Sequence, residues 1–220
     1  MRSGAASGRL GVLAAAALFS TGGAVIKAID LTGWQVASLR SGVAALALLA
    51  LMPESRRALS WRVLAVGAAY AATLVLFVQA NKQTTAASAI FLQSTAPLYV
   101  LLLSPWLLRE RIRRSDLALM AALAVGMACF FLGLDAASTT APDPFLGNLL
   151  AAAAGLSWAL TVMGLRALGK AGGGAAGAGA AVAGNLLTFV FCLPLALPLA
   201  GADGGDWAGV LFLGAVQVGL

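Results

Sequence analysis

KQTTAASAIFLQSTAPLYVLLLSPWLLRERIRR, from Lys82 to Arg114, is the stretch whose reading decides the fold. After Lys82 it carries no charge until Arg109, then closes in a cluster of Arg109, Glu110, Arg111, Arg113 and Arg114. About 20 apolar residues cross a bilayer core as a helix, and this run is long enough. Its apolar character is broken in a pattern. At about 100° per residue, Asn81, Thr84, Ser88, Thr95 and Tyr99 share one face, and Gln93 points away from it. Pro97 lies mid-span, removes a backbone donor, frees the Gln93 carbonyl and predicts a kink. Polar groups and freed carbonyls inside a membrane need a wet cavity or polar neighbours. Small and hydroxylated residues also serve helix packing, so lining and packing are both open readings of the stripe.

Composition points the same way. The chain is 61% hydrophobic and 10% charged, with a mean hydropathy of +0.94; a soluble domain carries far more charge. There is no His, and Cys129 and Cys192 both lie in apolar runs. That argues against a redox pair, a metal site of His and Cys, and any bound cofactor. The net charge of +6 would suit nucleic acid, but the cations sit at the ends of apolar runs, as membrane proteins place them, so no nucleic-acid partner is expected. The expected surroundings are a lipid bilayer.

The other spans follow from the Lys82 stretch in both directions. Arg2 and Arg9 precede a run from Leu10 to about Ala28, longer than the apolar core of a signal peptide, so it reads as a first helix with Ser20 and Thr21 mid-span. A second runs from about Gly33 to Met52. Arg40 lies about 10 Å down it at helical rise, where a cation is costly. Snorkelling to the outer surface or a structural bond is the favoured reading, and an anchor for an anionic group the alternative. A third span, Trp61 to about Ala80, carries Tyr70, Thr73 and Gln79. Beyond the cationic cluster come a fifth span near Asp116–Leu134, a sixth near Phe145–Ala167 with Ser157, Trp158 and Thr161, and a seventh reaching Leu199. The seventh opens on the Gly/Ala-rich KAGGGAAGAGAAVAG, where Ala176, Ala180 and Gly184 form a small-residue stripe suited to close helix contact. An eighth run, from Trp207 to Leu220, is too short for a comfortable crossing.

Arg and Lys alternate along these spans. They gather before the first span and after the second, fourth and sixth, whereas Asp30, Asp135, Asp143, Asp203 and Asp206 fall in the opposite loops with only Lys27 and Lys82. The positive-inside rule then puts the N-terminus in the cytoplasm of a multi-pass plasma-membrane protein. There is also a repeat. LGVLAAAALFS at Leu10 resembles LGNLLAAAAGLS at Leu146, and VLAVGA at Val63 resembles VLFLGA at Val210, at nearly one offset. A repeat of five spans inverts its second copy, which is a transporter design.

These residues together are similar to the EamA-type members of the drug/metabolite transporter superfamily. The marks are LGVLAAAALFSTGGAVIKA, VASLRSGVAAL around Arg40, the Lys82 stretch with Pro97 and Glu110, GNLLAAAAGLSWALTVMGLR and LFLGAVQVGL. The family's usual Trp in helix one is replaced by Phe19-Ser20, while Trp158 matches in helix six. The resemblance implies an all-α polytopic fold of inverted five-helix halves, 1–140 and 141–220, the second incomplete, so that this sequence holds seven full helices and part of an eighth. It implies a bacterial inner-membrane permease that exports or exchanges small metabolites by alternating access, not an enzyme; a homodimer is compatible with it. A non-transporting scaffold and a drug-efflux member of the superfamily are the alternatives. The candidate pathway residues are Ser20, Tyr70, Thr84, Ser88, Thr95, Tyr99, Ser157, Thr161 and Gln217, with Pro97 as kink. Arg40 and Glu110 are charged structural or gating candidates, Glu110 as a latch at the cytoplasmic helix end. These lining candidates are neutral, which favours amino acids and similar uncharged or zwitterionic solutes over quaternary cations.

Overall fold

The computed structural model describes residues 20–57, 59–107, 113–133, 136–172, 174–199 and 201–219. Most of the first span lies outside these, as do Arg109, Glu110 and Arg111, and with them the Glu110 latch.

The described residues are helical, without strands. Helix α1 covers residues 20–28. Helix α2, Gly33–Leu51, starts at a capping box in which Thr32 and Gln35 each satisfy the other's backbone N–H. A 3₁₀ turn at Pro53–Arg57 follows, then α3, Trp61–Gln83, capped by Ser60. Helix α4, Ala86–Ser94, is capped by Thr85 and leads into α5, Ala96–Leu107. Helix α6 is Arg114–Leu132, α7 is Pro144–Gly172 and α8 is Gly174–Ala196. Helix α9, Gly204–Leu211, winds on as a π-helix, Phe212–Val218.

Five stretches are long and apolar enough to cross a membrane: Gly33–Leu51, Trp61–Gln83, Ala86–Leu107, Pro144–Lys170 and Gly174–Ala196. Asp116–Leu132 is a shorter apolar helix. Large apolar side chains stand outward, among them Leu132 (86% exposed), Trp106 (80%) and Phe191 (66%). Water would penalise that arrangement and hydrocarbon would not. The chain is a multi-pass membrane protein.

Two boundaries differ from expectation. Asn81 and Lys82 belong to the end of α3, not to the fourth span, because helical bonding continues to Gln83 before Thr84 and Thr85 break it. The fourth span is two helices. Its break is at Thr95, two residues ahead of Pro97, where the Thr95 N–H and hydroxyl both turn back to the Leu92 carbonyl (3.3 and 2.6 Å). Pro97 sits in the first turn of α5, where its missing N–H costs nothing. Its ring would collide with the Gln93 carbonyl in a continuous helix, so the distortion falls on the N-terminal side of the proline.

The interior joins Ile26, Val36, Phe77, Val78, Leu92, Ala151, Ala154, Cys192 and Leu213 from α1, α2, α3, α4, α7, α8 and the π-helix. Helix α3 packs on both α7 and α8, and α2 packs on α8. The α3–α8 crossing uses glycine on both sides. A Cβ at Gly67 would stand 2.9 Å from the Ala183 Cβ and 3.2 Å from the Ala180 carbonyl, and one at Gly184 would stand 2.8 Å from the Gly67 carbonyl. Ala180 and Gly184 of the small-residue stripe thus lie at this contact.

Candidate functional site

A cavity of about 380 Å³ opens among the middles of the helices. Ser20 of α1 and Arg40 of α2 face it, with Tyr70, Thr73, Leu74 and Phe77 from α3. Ile90, Gln93 and Ser94 reach it from the end of α4, Trp158 from α7, and Gln217 and Val218 from the π-helix. Each element arrives for a local reason. Gln93 and Ser94 come at the last turn of α4 because the helix breaks at Thr95. Gly155 then closes against the carbonyls bared there: a Cβ on it would lie 3.0 Å from the Leu92 oxygen and 3.2 Å from the Gln93 oxygen. Gln217 comes from a π-helical turn, a distortion that recurs at functional sites. Its amide rests on Gly22, where any side chain would collide with it.

Arg40 corrects the snorkelling reading. It is 2% exposed and donates from Nη2 to the Leu74 carbonyl at 3.1 Å, while Nε has no partner. The structural bond, named beside snorkelling in the same reading, is the one present. Helix α2 buries Arg40 between α3 and the π-helix instead of leaving a path to the surface. Tyr70 and Trp158 stand with ring centroids 6.2 Å apart at 47°. They border both the central cavity and a smaller one of about 170 Å³ that includes Thr161.

The candidate pathway residues separate into groups. Ser20, Tyr70 and Gln217 meet at the central cavity. Thr161 lines the smaller one and donates to the Ser157 carbonyl at 2.8 Å. Thr84 and Ser88 face a third pocket, of about 380 Å³, under the α6–α7 connection with Cys129, Phe130 and Asn148. Thr84 donates to Asn148 Oδ1 at 2.8 Å, and Asn148 Nδ2 donates to the Phe130 carbonyl, also at 2.8 Å. Thr95 and Tyr99 turn to the Met127 sulfur at 3.8 and 3.6 Å. The stripe on α4 and α5 thus faces neighbouring helices, and its opposite side supplies Gln93 to the central cavity. Gln93, Ser94 and Thr73 were not among the pathway candidates, nor was Trp158. Gln93 is a lone amide in an apolar run, a signal that a stripe-by-stripe reading passes over. Asn148 and Asn185, both buried, are likewise lone amides in apolar helices. Among the described residues, no group of three or more His, Cys, Asp or Glu could hold a metal ion.

The model of the EamA-like transporter family matches residues 6–132. The chain belongs to the EamA-like transporter family. A solved structure, titled only as the crystal structure of a protein, superimposes with a TM-score of 0.64 at 22% identity, covering 94% of this chain and 74% of that one. That likeness is one of fold. No curated protein matches the sequence. Membership makes this EamA chain a membrane transporter of the drug/metabolite type.

Proposed function

We propose that this EamA-family chain is a permease that exports or exchanges small neutral or zwitterionic metabolites by alternating access. The observation that carries the reading is the charge of the central cavity. Its described lining holds hydroxyls, amides, aromatic rings and one cation, Arg40, and no carboxylate. An organic cation in that wall would face Arg40 with no counter-charge from the described lining, which is a costly arrangement. Uncharged and zwitterionic solutes meet donors and acceptors instead.

Alternating access draws support from the packing. Helix α2 meets α8, each the second helix of its repeat; α3 meets α8, and α2 meets the α9–π segment in the corresponding way. Such pairing is what an inverted repeat of residues 1–140 and 141–220 would produce, with the site at its interface. The same reading gives a bacterial inner-membrane protein with a cytoplasmic N-terminus. The pathway then runs past Ser20, Tyr70 and Gln217, with Thr84, Ser88, Thr95, Tyr99, Ser157 and Thr161 in the helices that move around it. A scaffold would have no use for a polar mid-span cavity.

The test is counterflow in liposomes loaded with a panel of amino acids and neutral metabolites, beside a quaternary ammonium dye. Exchange of a panel member without dye movement is the expected result. Dye efflux that persists after substitution of every carboxylate would overturn the charge argument.

A further inference from the structure

Two polar atoms in side chains on the wall of the central cavity have no partners, and they are of opposite kind. One is the donor Arg40 Nε, and the other is the acceptor Gln217 Oε1. Both side chains are buried, at 2% and 6% exposure. Their backbones are adjacent, since a Cβ on Gly214, one turn before Gln217, would lie 2.6 Å from the Arg40 carbonyl. Position and register of both are fixed by other contacts: Nη2 of Arg40 is tied to Leu74, and the Gln217 amide is seated on Gly22.

A buried guanidinium with an unused N–H is costly until an anion pairs with it. A guanidinium N–H makes a strong charge-assisted bond to an oxyanion such as a carboxylate. An amide oxygen with free lone pairs accepts from an ammonium group. The same wall carries an apolar and aromatic part, Leu74, Phe77, Ile90 and Trp158, along with the polar Ser20, Thr73, Gln93 and Ser94. We infer that Arg40 and Gln217 form the head-group site for a zwitterionic substrate, with Arg40 taking its carboxylate, Gln217 Oε1 taking its ammonium, and the apolar part of the wall taking its side chain. The inference rests on the permease reading and sharpens it to primary amino acids with apolar side chains.

The test compares three solutes of one shape on the wild-type protein in liposomes, as competitors of labelled leucine counterflow. They are leucine, 3-methylbutylamine, which lacks the carboxylate, and 4-methylpentanoate, which lacks the ammonium. Leucine should compete best, with each truncated analogue roughly ten- to a hundredfold weaker, the range for losing a hydrogen bond to a charged group. Gln217→Leu should then weaken leucine more than 4-methylpentanoate and narrow the gap between them, and Arg40→Gln should narrow the gap between leucine and 3-methylbutylamine. Equal competition by 3-methylbutylamine and leucine in the wild type overturns the Arg40 assignment, whatever the variants do. A uniform loss in a variant that still melts cooperatively points to a structural role and also overturns it. Exchange of another neutral solute with none of the three competing leaves the permease reading standing and removes this one; movement of cations alone removes both.

Discussion

Gly67 and Gly184 let the backbones of α3 and α8 approach closely, and a methyl at Gly67 would crowd Ala183 and the Gly184 backbone. Gly67→Ala must push Ala183 or the backbone at Gly184, an overpacking that costs about 1–3 kcal/mol. Gly177, in the same α8, has only the Leu165 Cδ2 at 3.8 Å. Gly177→Ala should therefore be neutral or stabilise by up to about 1 kcal/mol through helix propensity. Melting the two variants in detergent separates them, and a Gly67→Ala protein as stable as wild type would show that the crossing relaxes. Thr84 and Asn148 offer a second residue-scale test. Thr84→Val removes the donor to Asn148 Oδ1 and leaves a buried acceptor bare, for a loss of about 1 kcal/mol. Adding Asn148→Leu should recover part of it, and strict additivity of the two losses would mean that the bond contributes nothing.

At the scale of elements, the break at Thr95 has two candidate causes that a single change tells apart. The proline excludes a continuous helix, and the Thr95 hydroxyl independently turns back to Leu92. Pro97→Ala restores a donor to the Gln93 carbonyl. If the proline dominates, α4 and α5 straighten, Gln93 and Ser94 leave the cavity, and transport falls while the melting temperature holds or rises. Spin labels at the exposed Phe91 and Leu102 should then report a changed distance; an unchanged one assigns the break to Thr95. This element also shows how far sequence reading reaches. Length and hydropathy were enough for the five long apolar helices among the described residues, because a bilayer demands them of any chain that crosses it. The proline marked the right turn of the right helix. The face was not legible. Whether Thr84, Thr95 or Gln93 points inward depends on which neighbours cover each side, and those neighbours, Asn148 and Met127, come from elsewhere in the chain. Arg40 is the sharpest case, since depth in a span predicts snorkelling unless another helix seals the way out, and here α3 and the π-helix lie over it.

Across the whole molecule, one end is tied together. Lys82 Nζ donates to the Ile29 carbonyl at 2.6 Å, the Asp30 N–H to Asp206 Oδ1 at 2.8 Å, and the Asp143 N–H to the Gln83 carbonyl at 3.1 Å, while Lys27 donates to the Thr140 carbonyl. These bonds join the α1–α2, α3–α4, α6–α7 and α8–α9 connections. They draw together the loops that hold Asp30, Asp143, Asp203 and Asp206. The arginine-rich connections, with Arg56, Arg62, Arg113 and Arg166, fall at the other ends of the same helices. The charge bias along the sequence and the hydrogen bonds in the fold therefore divide the loops in the same way, which is the division the positive-inside rule turns into an orientation. With Cys129 and Cys192 first replaced by Ser or Ala, single cysteines at Arg56, Arg113 and Lys170 should react with a membrane-impermeant thiol reagent only after the cells are opened. Cysteines at Asp143 and Asp203 should react in intact cells. Labelling of Lys170 and Asp143 from the same side would break the span count. Reversal of all five would keep the fold and invert its orientation, so the direction of transport would have to be read the other way.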